Sequence, residues 1–296
     1  MVDVPRRYRL LVTDVDGTLL PPDRRVLPGV REALRAVGDR GVRVCLATGR
    51  MWRSVRPYVE AVGADSPVVL YNGAVVYDFH ADRVLEYHTL DPDGLRAALE
   101  VLREFPDVRP HVFAQERVYV DRLDPQSRAY LERDGITAEE VGDLVEACAG
   151  GATVAKTHRG GLDTVPRDPV KVLVVGDPER LLSLEGELAR RAPKVRRVFS
   201  ERDFLELLRW GVSKGTALRT VCAVLGVPLH EVVAVGDNPN DLEMLQAAGL
   251  GVAVANAHPA VRKAAGYVTR APGGEALVEV AERFLLNGSP DNPKGR

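Results

Sequence analysis

Short, predominantly apolar runs alternate with stretches in which apolar positions recur every three or four residues, and this rhythm fills the first and last thirds of the chain. Tyr8–Thr13, Val42–Ala47 and Pro67–Tyr71 read as strands covered on both faces. Between them, Pro28–Arg40 puts Val30, Ala33, Leu34 and Val37 on one helical face and stops at Gly41. Met51–Ala61 predicts a second helix, disturbed at Pro57. The last third predicts helix Lys214–Leu225, strand Val232–Val235, helix Pro239–Ala248, strand Gly251–Val254, helix Pro259–Ala265, strand Tyr267–Thr269 and helix Glu275–Leu285. Strands separated by helices imply right-handed crossovers and a parallel sheet.

The middle of the chain is patterned more loosely. Candidate strands are Val84–His88, Val108–Phe113, Arg117–Val120, Thr153–Lys156, Val170–Val175 and Val195–Ser200, with helices over Asp93–Glu104, Pro125–Arg133 and Pro178–Arg190. The expected fold is therefore α/β: a Rossmann-like parallel-sheet core from residues 1–81 and 210–296, with an α+β domain inserted over 82–209.

Composition narrows the function classes. The 296 residues, 45% hydrophobic and 28% charged, suffice for two ordinary domains with real cores. A net charge of −2 gives no electrostatic footprint for nucleic acid. No apolar run approaches the ~20 residues of a membrane helix, and the N-terminus carries no signal-peptide core. Cys45, Cys148 and Cys222 fit no zinc spacing, and their odd number suits a reducing cytoplasm. The tail Asn287–Pro293 is polar and turn-rich and is expected to be disordered.

Polar residues cluster where strands end. Leu11-Val12-Thr13-Asp14-Val15-Asp16-Gly17-Thr18 closes the first strand with two carboxylates, which could hold a metal, attack phosphorus or pass a proton, or simply form an Asx-type turn. Thr48-Gly49-Arg50 follows the second strand and suits either an anion or an ordinary helix cap. Asn72-Gly73 follows the third as a hairpin turn, an anchor for a ligand, or both. Lys214 opens a helix, where the dipole prefers anions. It is either a lone exposed lysine or one compensated by a phosphate or carboxylate. In Asp237-Asn238-Pro239-Asn240-Asp241, capping explains Asn238 and Asp241 but leaves Asp237, whose carboxylate matches the hard oxygen ligation of Mg²⁺. All five signals fall at one end of one sheet.

With these motifs the chain resembles the haloacid dehalogenase (HAD) superfamily of aspartate-nucleophile phosphotransferases. It is most similar to the Cof-type phosphatases, which carry a large C2-type cap between their second and third motifs. The run Val254–Arg262 followed by Ala265–Thr269 shares that resemblance. It implies that Asp14 is the nucleophile and Asp16 the general acid/base, that Thr48, Gly49 and Lys214 hold the transferring phosphoryl group, and that Asn72 and Asn240 add contacts to it. Mg²⁺ would be bound by Asp14, Asp16 (through its main-chain carbonyl) and Asp237. Asp241 would orient Lys214 or a water on the metal, and Arg50 would serve the helix or the substrate. One departure is Leu205-Glu206-Leu207-Leu208-Arg209-Trp210, where the group commonly has a shorter Leu-Glu-Ile stretch.

The implied reaction is hydrolysis of a small-metabolite phosphate monoester, such as a sugar phosphate, nucleotide or phosphorylated cofactor, through an aspartyl-phosphate. The cap is expected to close over the site. His111, Arg117, Tyr119, Lys156, His158 and Arg159 are its candidate contacts, unless they are ordinary surface residues. The rivals are a phosphomutase using the same Asp14, a phospho-acceptor signalling protein, and a purely binding or structural role.

Overall fold

The structure is a computed structural model that describes residues 8–21, 23–114, 117–148 and 168–286. In chain order its elements are β1 (Leu10–Thr13), α1 (Pro28–Asp39), β2 (Arg43–Leu46), α2 (Trp52–Val62), β3 (Val68–Leu70), β4 (Val75–Asp78), β5 (Arg83–Tyr87), α3 (Pro92–Arg103), β6 (Arg109–Ala114) and β7 (Arg117–Val120). There follow α4 (Pro125–Asp134), β8 (Glu139–Glu140), α5 (Leu144–Cys148), β9 (Lys171–Val175), α6 (Pro178–Arg191), β10 (Val195–Glu201) and β11 (Phe204–Arg209). The last are α7 (Lys214–Leu225), β12 (Val232–Gly236), α8 (Leu242–Ala247), β13 (Leu250–Ala253), α9 (Pro259–Ala264), β14 (Tyr267–Val268) and α10 (Gly273–Val280). Two compact units result: Met1–Gly49, Val55–His80 and Ser213–Arg296 form one, and Arg50–Ser54 with Ala81–Val212 the other.

The first unit is built on a parallel sheet in the order β14-β13-β12-β1-β2. Every residue of β1 and β12 is buried, as their unbroken apolar runs require. The chain lays β2 on one side of β1 and, much later, β12 on the other. The carboxyl edge between β1 and β12 is thus the switch point at which open α/β sheets place their ligands. A parallel bridge between Ala47 and Val69 brings β3 beside the end of β2, and β3 then turns back into antiparallel β4. β4 is an element the sequence reading did not predict.

Helices cover the sheet through apolar stripes: Val30, Leu34 and Val37 on α1, and Leu218, Val221 and Cys222 on α7. α2 runs unbroken through Pro57, contrary to the expected disturbance. Pro57 stands on the exposed face, where water can satisfy the freed carbonyl, while Val55, Val59 and Val62 stay buried. The expected helix from Pro239 is a 3₁₀ turn, Pro239–Asp241, leading into α8, and α10 gives way to a π-helical turn over Ala281–Leu286. Among the described residues no helix is long and apolar enough to cross a membrane. All three cysteines are free thiols, with Cys45 and Cys222 buried.

The second unit is a six-stranded sheet in the order β10-β11-β9-β6-β7-β8, antiparallel except where β7 meets β8. Val112, Val172, Val174, Leu205 and Leu207 point from it into a core with Leu99 of α3 and Leu184 of α6. β11 was not predicted. Glu206 sits among leucines and breaks the apolar reading, but it is buried in a 2.9 Å ion pair with Lys171 of β9. The expected strand Thr153–Lys156 lies outside the described residues, as do Lys156, His158, Arg159 and the tail. Arg117 is exposed near Glu139, and Tyr119 packs against the core of the unit.

His111 is fully buried rather than presented at a surface. Its Nδ1 lies 3.0 Å from the Arg109 carbonyl oxygen and its ring meets Tyr130 edge-on. Burial lowers its pKa to about 4 from an ordinary value of 6.5. The unfolded imidazole therefore takes a proton at a higher pH than the folded one. The stabilisation is complete above about pH 6.5 and is lost as pH falls towards 4, a change of ~3 kcal/mol from this one group. Denaturant unfolding of wild type and His111→Phe across that window should show this acid sensitivity in the wild type alone. Equal pH dependence in both would refute it.

Candidate active site

β1 delivers Asp14 to the carboxyl edge, where its amide still bonds the Val235 carbonyl at 2.9 Å, so Asp14 prolongs the strand direction. The chain then turns. Gly17 donates to the Leu20 carbonyl and Leu20 to that of Val15. Asp16 sits inside this turn, with its half-buried carboxylate 3.9 Å from Arg24.

Lys214 enters from α7, whose first turn is fixed by a capping box between Ser213 and Thr216. The dipole conflict seen in the sequence is resolved by carboxylates. Lys214 Nζ donates to Asp14 Oδ1 at 2.5 Å and to Asp241 Oδ1 at 2.7 Å, with all three side chains buried. The other oxygen of Asp241 accepts from the amides of Asp237 and Asn238 at 2.9 and 3.1 Å. Both oxygens of Asp241 are thus engaged, one by Lys214 and the other by the backbone of the Asp237 loop. Oxygens of Asp14, Asp237 and Asp241 lie within 4.8 Å of one another. The carboxylate of Asp16 is not in that group.

A second cluster adjoins Lys214. The Asn72 amide donates to the carbonyl of buried Thr48 at 2.9 Å, and Asn240 Nδ2 donates to Asn72 Oδ1 at 3.1 Å. Tyr71 and Asn72 both hold left-handed backbone, φ 48° and 54°. Such strain in non-glycine residues tends to gather at functional sites. Gly73 lets the turn press against the lysine loop, because a Cβ there would come within 2.2 Å of the Ser213 carbonyl oxygen. The turn reading of Asn72-Gly73 holds: the segment leads from β3 back into antiparallel β4. Two buried atoms of this cluster, Asn72 Nδ2 and Asn240 Oδ1, have no hydrogen-bond partner among the described residues. Buried orphans of this kind are uncommon and mark a place for a further polar group.

Gly49 is half-buried beside Thr48. Arg50 belongs to the second unit, where its guanidinium is 4.0 Å from Asp134. The sequence reading missed Thr18, whose Oγ1 donates to Asp237 Oδ1 at 2.8 Å, and explained Asn238 by capping alone.

The electrostatics show a charge imbalance. Burial pushes the Asp14 carboxyl well above the carboxylate range, against the pull of Lys214 and with help from Asp241, Asp237 and Asp16. Asp237 is pushed up to about 7, by burial first and Asp241 second. Burial disfavours the Lys214 ammonium, but Asp14 and Asp241 outweigh it and raise its pKa. Ionising all three buried carboxylates against one ammonium would leave two negative charges unmatched, which adds to burial in raising the Asp14 and Asp237 carboxyls. The donors are hard oxygens, and a divalent cation such as Mg²⁺ beside them would favour their ionised forms. The residues fit that ion, with Asp14 and Asp237 as the side chains not already saturated.

With the parallel core and this edge in place, comparison with known proteins is direct. A family model described as haloacid dehalogenase-like hydrolase matches residues 11–280. The chain is 31% identical over 272 residues to the pyridoxal phosphate phosphatase YbhA of Escherichia coli (strain K12), covering 88% of this chain and 92% of that protein. It is 32% identical over 257 residues to an HMP-PP phosphatase of Serratia proteamaculans (strain 568), covering 86% of each. A crystal structure of a haloacid dehalogenase-like hydrolase from Bacteroides thetaiotaomicron superposes with a TM-score of 0.75 at 27% identity, over 93% of this chain and 99% of that one. The chain belongs to the haloacid dehalogenase-like hydrolases and, within them, to the phosphatases.

Proposed function

We propose that this enzyme hydrolyses the phosphate monoester of a small metabolite through a phospho-aspartate on Asp14. The observation that carries the reading is the buried Lys214 ammonium bridging Asp14 and Asp241 beside Asp237. Lys214 screens the Asp14 carboxylate from the incoming phosphoryl oxygens, which would otherwise repel it. The orphaned Asn72 Nδ2 is a donor suited to a phosphoryl oxygen, with Asn240 holding the amide in place and Thr48 and Gly49 alongside. Mg²⁺ bound by Asp14, Asp237 and the Asp16 carbonyl would supply charge neutralisation of the phosphoryl group.

The chemistry then runs in two steps. Asp14 attacks phosphorus, a new P–O bond forms, and the bond to the leaving oxygen breaks as Asp16 gives that oxygen its proton. Asp16 next takes a proton from water, the water oxygen attacks phosphorus, and the Asp14–phosphorus bond breaks to release inorganic phosphate. Asp16 suits this exchange because its side chain stands apart from the Lys214 bonds and reaches solvent. The names of the relatives point to phosphorylated cofactors and their precursors as first substrates to try. The free thiols fit a cytoplasmic setting.

The direct test is phosphate release from a panel of phosphorylated metabolites, pyridoxal phosphate included. Release should require Mg²⁺ and stop with EDTA. An isomerised phosphoester in place of free phosphate would make the enzyme a mutase, and EDTA-resistant release would refute the metal.

A further inference from the structure

Asp237 is held from three sides by groups that carry no charge. Thr18, in the loop after β1, donates its hydroxyl to Asp237 Oδ1 at 2.8 Å. Asn238 donates its side-chain amide to Asp237 Oδ2 at 2.8 Å. Gly17, at φ +82°, lies so close that a Cβ there would stand 2.4 Å from Asp237 Oδ2. Thr18 is fully buried, so its hydroxyl has little freedom to exchange this acceptor for water.

A lysine or arginine in either place would also fix the carboxylate, but it would cancel the charge a cation needs. Neutral donors fix the direction of both oxygens, leave each a second lone pair, and leave the charge intact. We infer that Thr18 and Asn238 are positioning residues that preorganise Asp237 for a divalent cation. The inference rests on the proposed metal-dependent reading of this site. It assigns Asn238 a task that capping does not supply, since its amide nitrogen is spent on Asp237. The Thr18–Asp237 bond also ties the loop after β1 to the loop after β12.

Thr18→Val keeps the shape of the side chain and removes the hydroxyl, Thr18→Ser restores it, and Asn238→Ala removes the second donor at a partly exposed position. Calorimetric titration of the full chain with Mg²⁺, without substrate, reads affinity independently of turnover. Thr18→Val and Asn238→Ala should each bind Mg²⁺ about 10–100-fold more weakly, and Thr18→Ser should return to within a few-fold of wild type. At saturating Mg²⁺ the variants should recover most of kcat with KM for the phosphoester unchanged, which a general loss of structure would not allow. Wild-type Mg²⁺ affinity in both Thr18→Val and Asn238→Ala overturns the inference and leaves the metal reading standing. Failure of the wild type itself to bind Mg²⁺ overturns both.

Discussion

Asp14→Asn should fold, keep or raise its melting temperature, and lose kcat by about 10⁴-fold or more. The amide matches the carboxylate in shape but cannot form the acyl phosphate. Its effect on stability has the opposite sign from most active-site losses in a core. Burial and three neighbouring carboxylates oppose the charge on Asp14, and the neutral amide removes that cost while Lys214 retains Asp241 at 2.7 Å. Steady-state phosphate release and a thermal melt on one preparation decide the matter. A kcat within tenfold of wild type would exclude Asp14 as the nucleophile, and a melting temperature far below wild type would contradict the electrostatic account.

Lys214→Met should be costly in both respects. Lys214 is fully buried and is the ammonium that Asp14 and Asp241 share. Its removal leaves buried carboxylates uncompensated, a loss of about 3–5 kcal/mol by the usual behaviour of broken buried pairs. The sign of the pH dependence follows. Without the ammonium the folded Asp14 carboxyl rises further above its unfolded value, so the folded state binds a proton that the unfolded state releases. The variant should therefore be least stable at neutral and alkaline pH and recover as pH falls into the carboxylate range. Turnover should fall by about 10²–10³-fold through lost electrostatic stabilisation. Denaturant unfolding at pH 5 and pH 8 checks the first claim. A deficit that does not shrink at the lower pH would show that lost packing, not charge, dominates.

The site was legible in the sequence to the extent that it follows from strand ends. Asp14, Thr48, Asn72 and Asp237 each come directly after an apolar run or within a residue of one, and a parallel sheet gathers such positions at one edge. Lys214 was legible for a different reason: an ammonium at the start of a helix conflicts with the dipole, and the structure resolves the conflict with two carboxylates. What stayed hidden depends on side-chain direction. Nothing in the spacing of Asp14 and Asp16 says that the first prolongs the strand while the second turns towards Arg24. Asp241 has the position of a capping residue, so its grip on Lys214 was signalled by the family resemblance alone and not by spacing. Thr18 acts on Asp237 across the two ends of the chain, a pairing that only the folded sheet creates. In the second unit, β11 was obscured because both of its faces are buried, so the apolar pairs Phe204-Leu205 and Leu207-Leu208 break the alternation, and Glu206 finds its reason only in Lys171.

The placement of β12 beside β1, with Val232 opposite Leu10, bears on how this protein is made. During synthesis the amino-terminal strand leaves the ribosome long before its neighbour exists. Until the late segment arrives, Asp14 lacks its ammonium partner and the apolar edge of β1 is bare. Closure of the sheet thus waits until β12 has been made, and before that point the nascent chain has no Lys214–Asp14 pair with which to act.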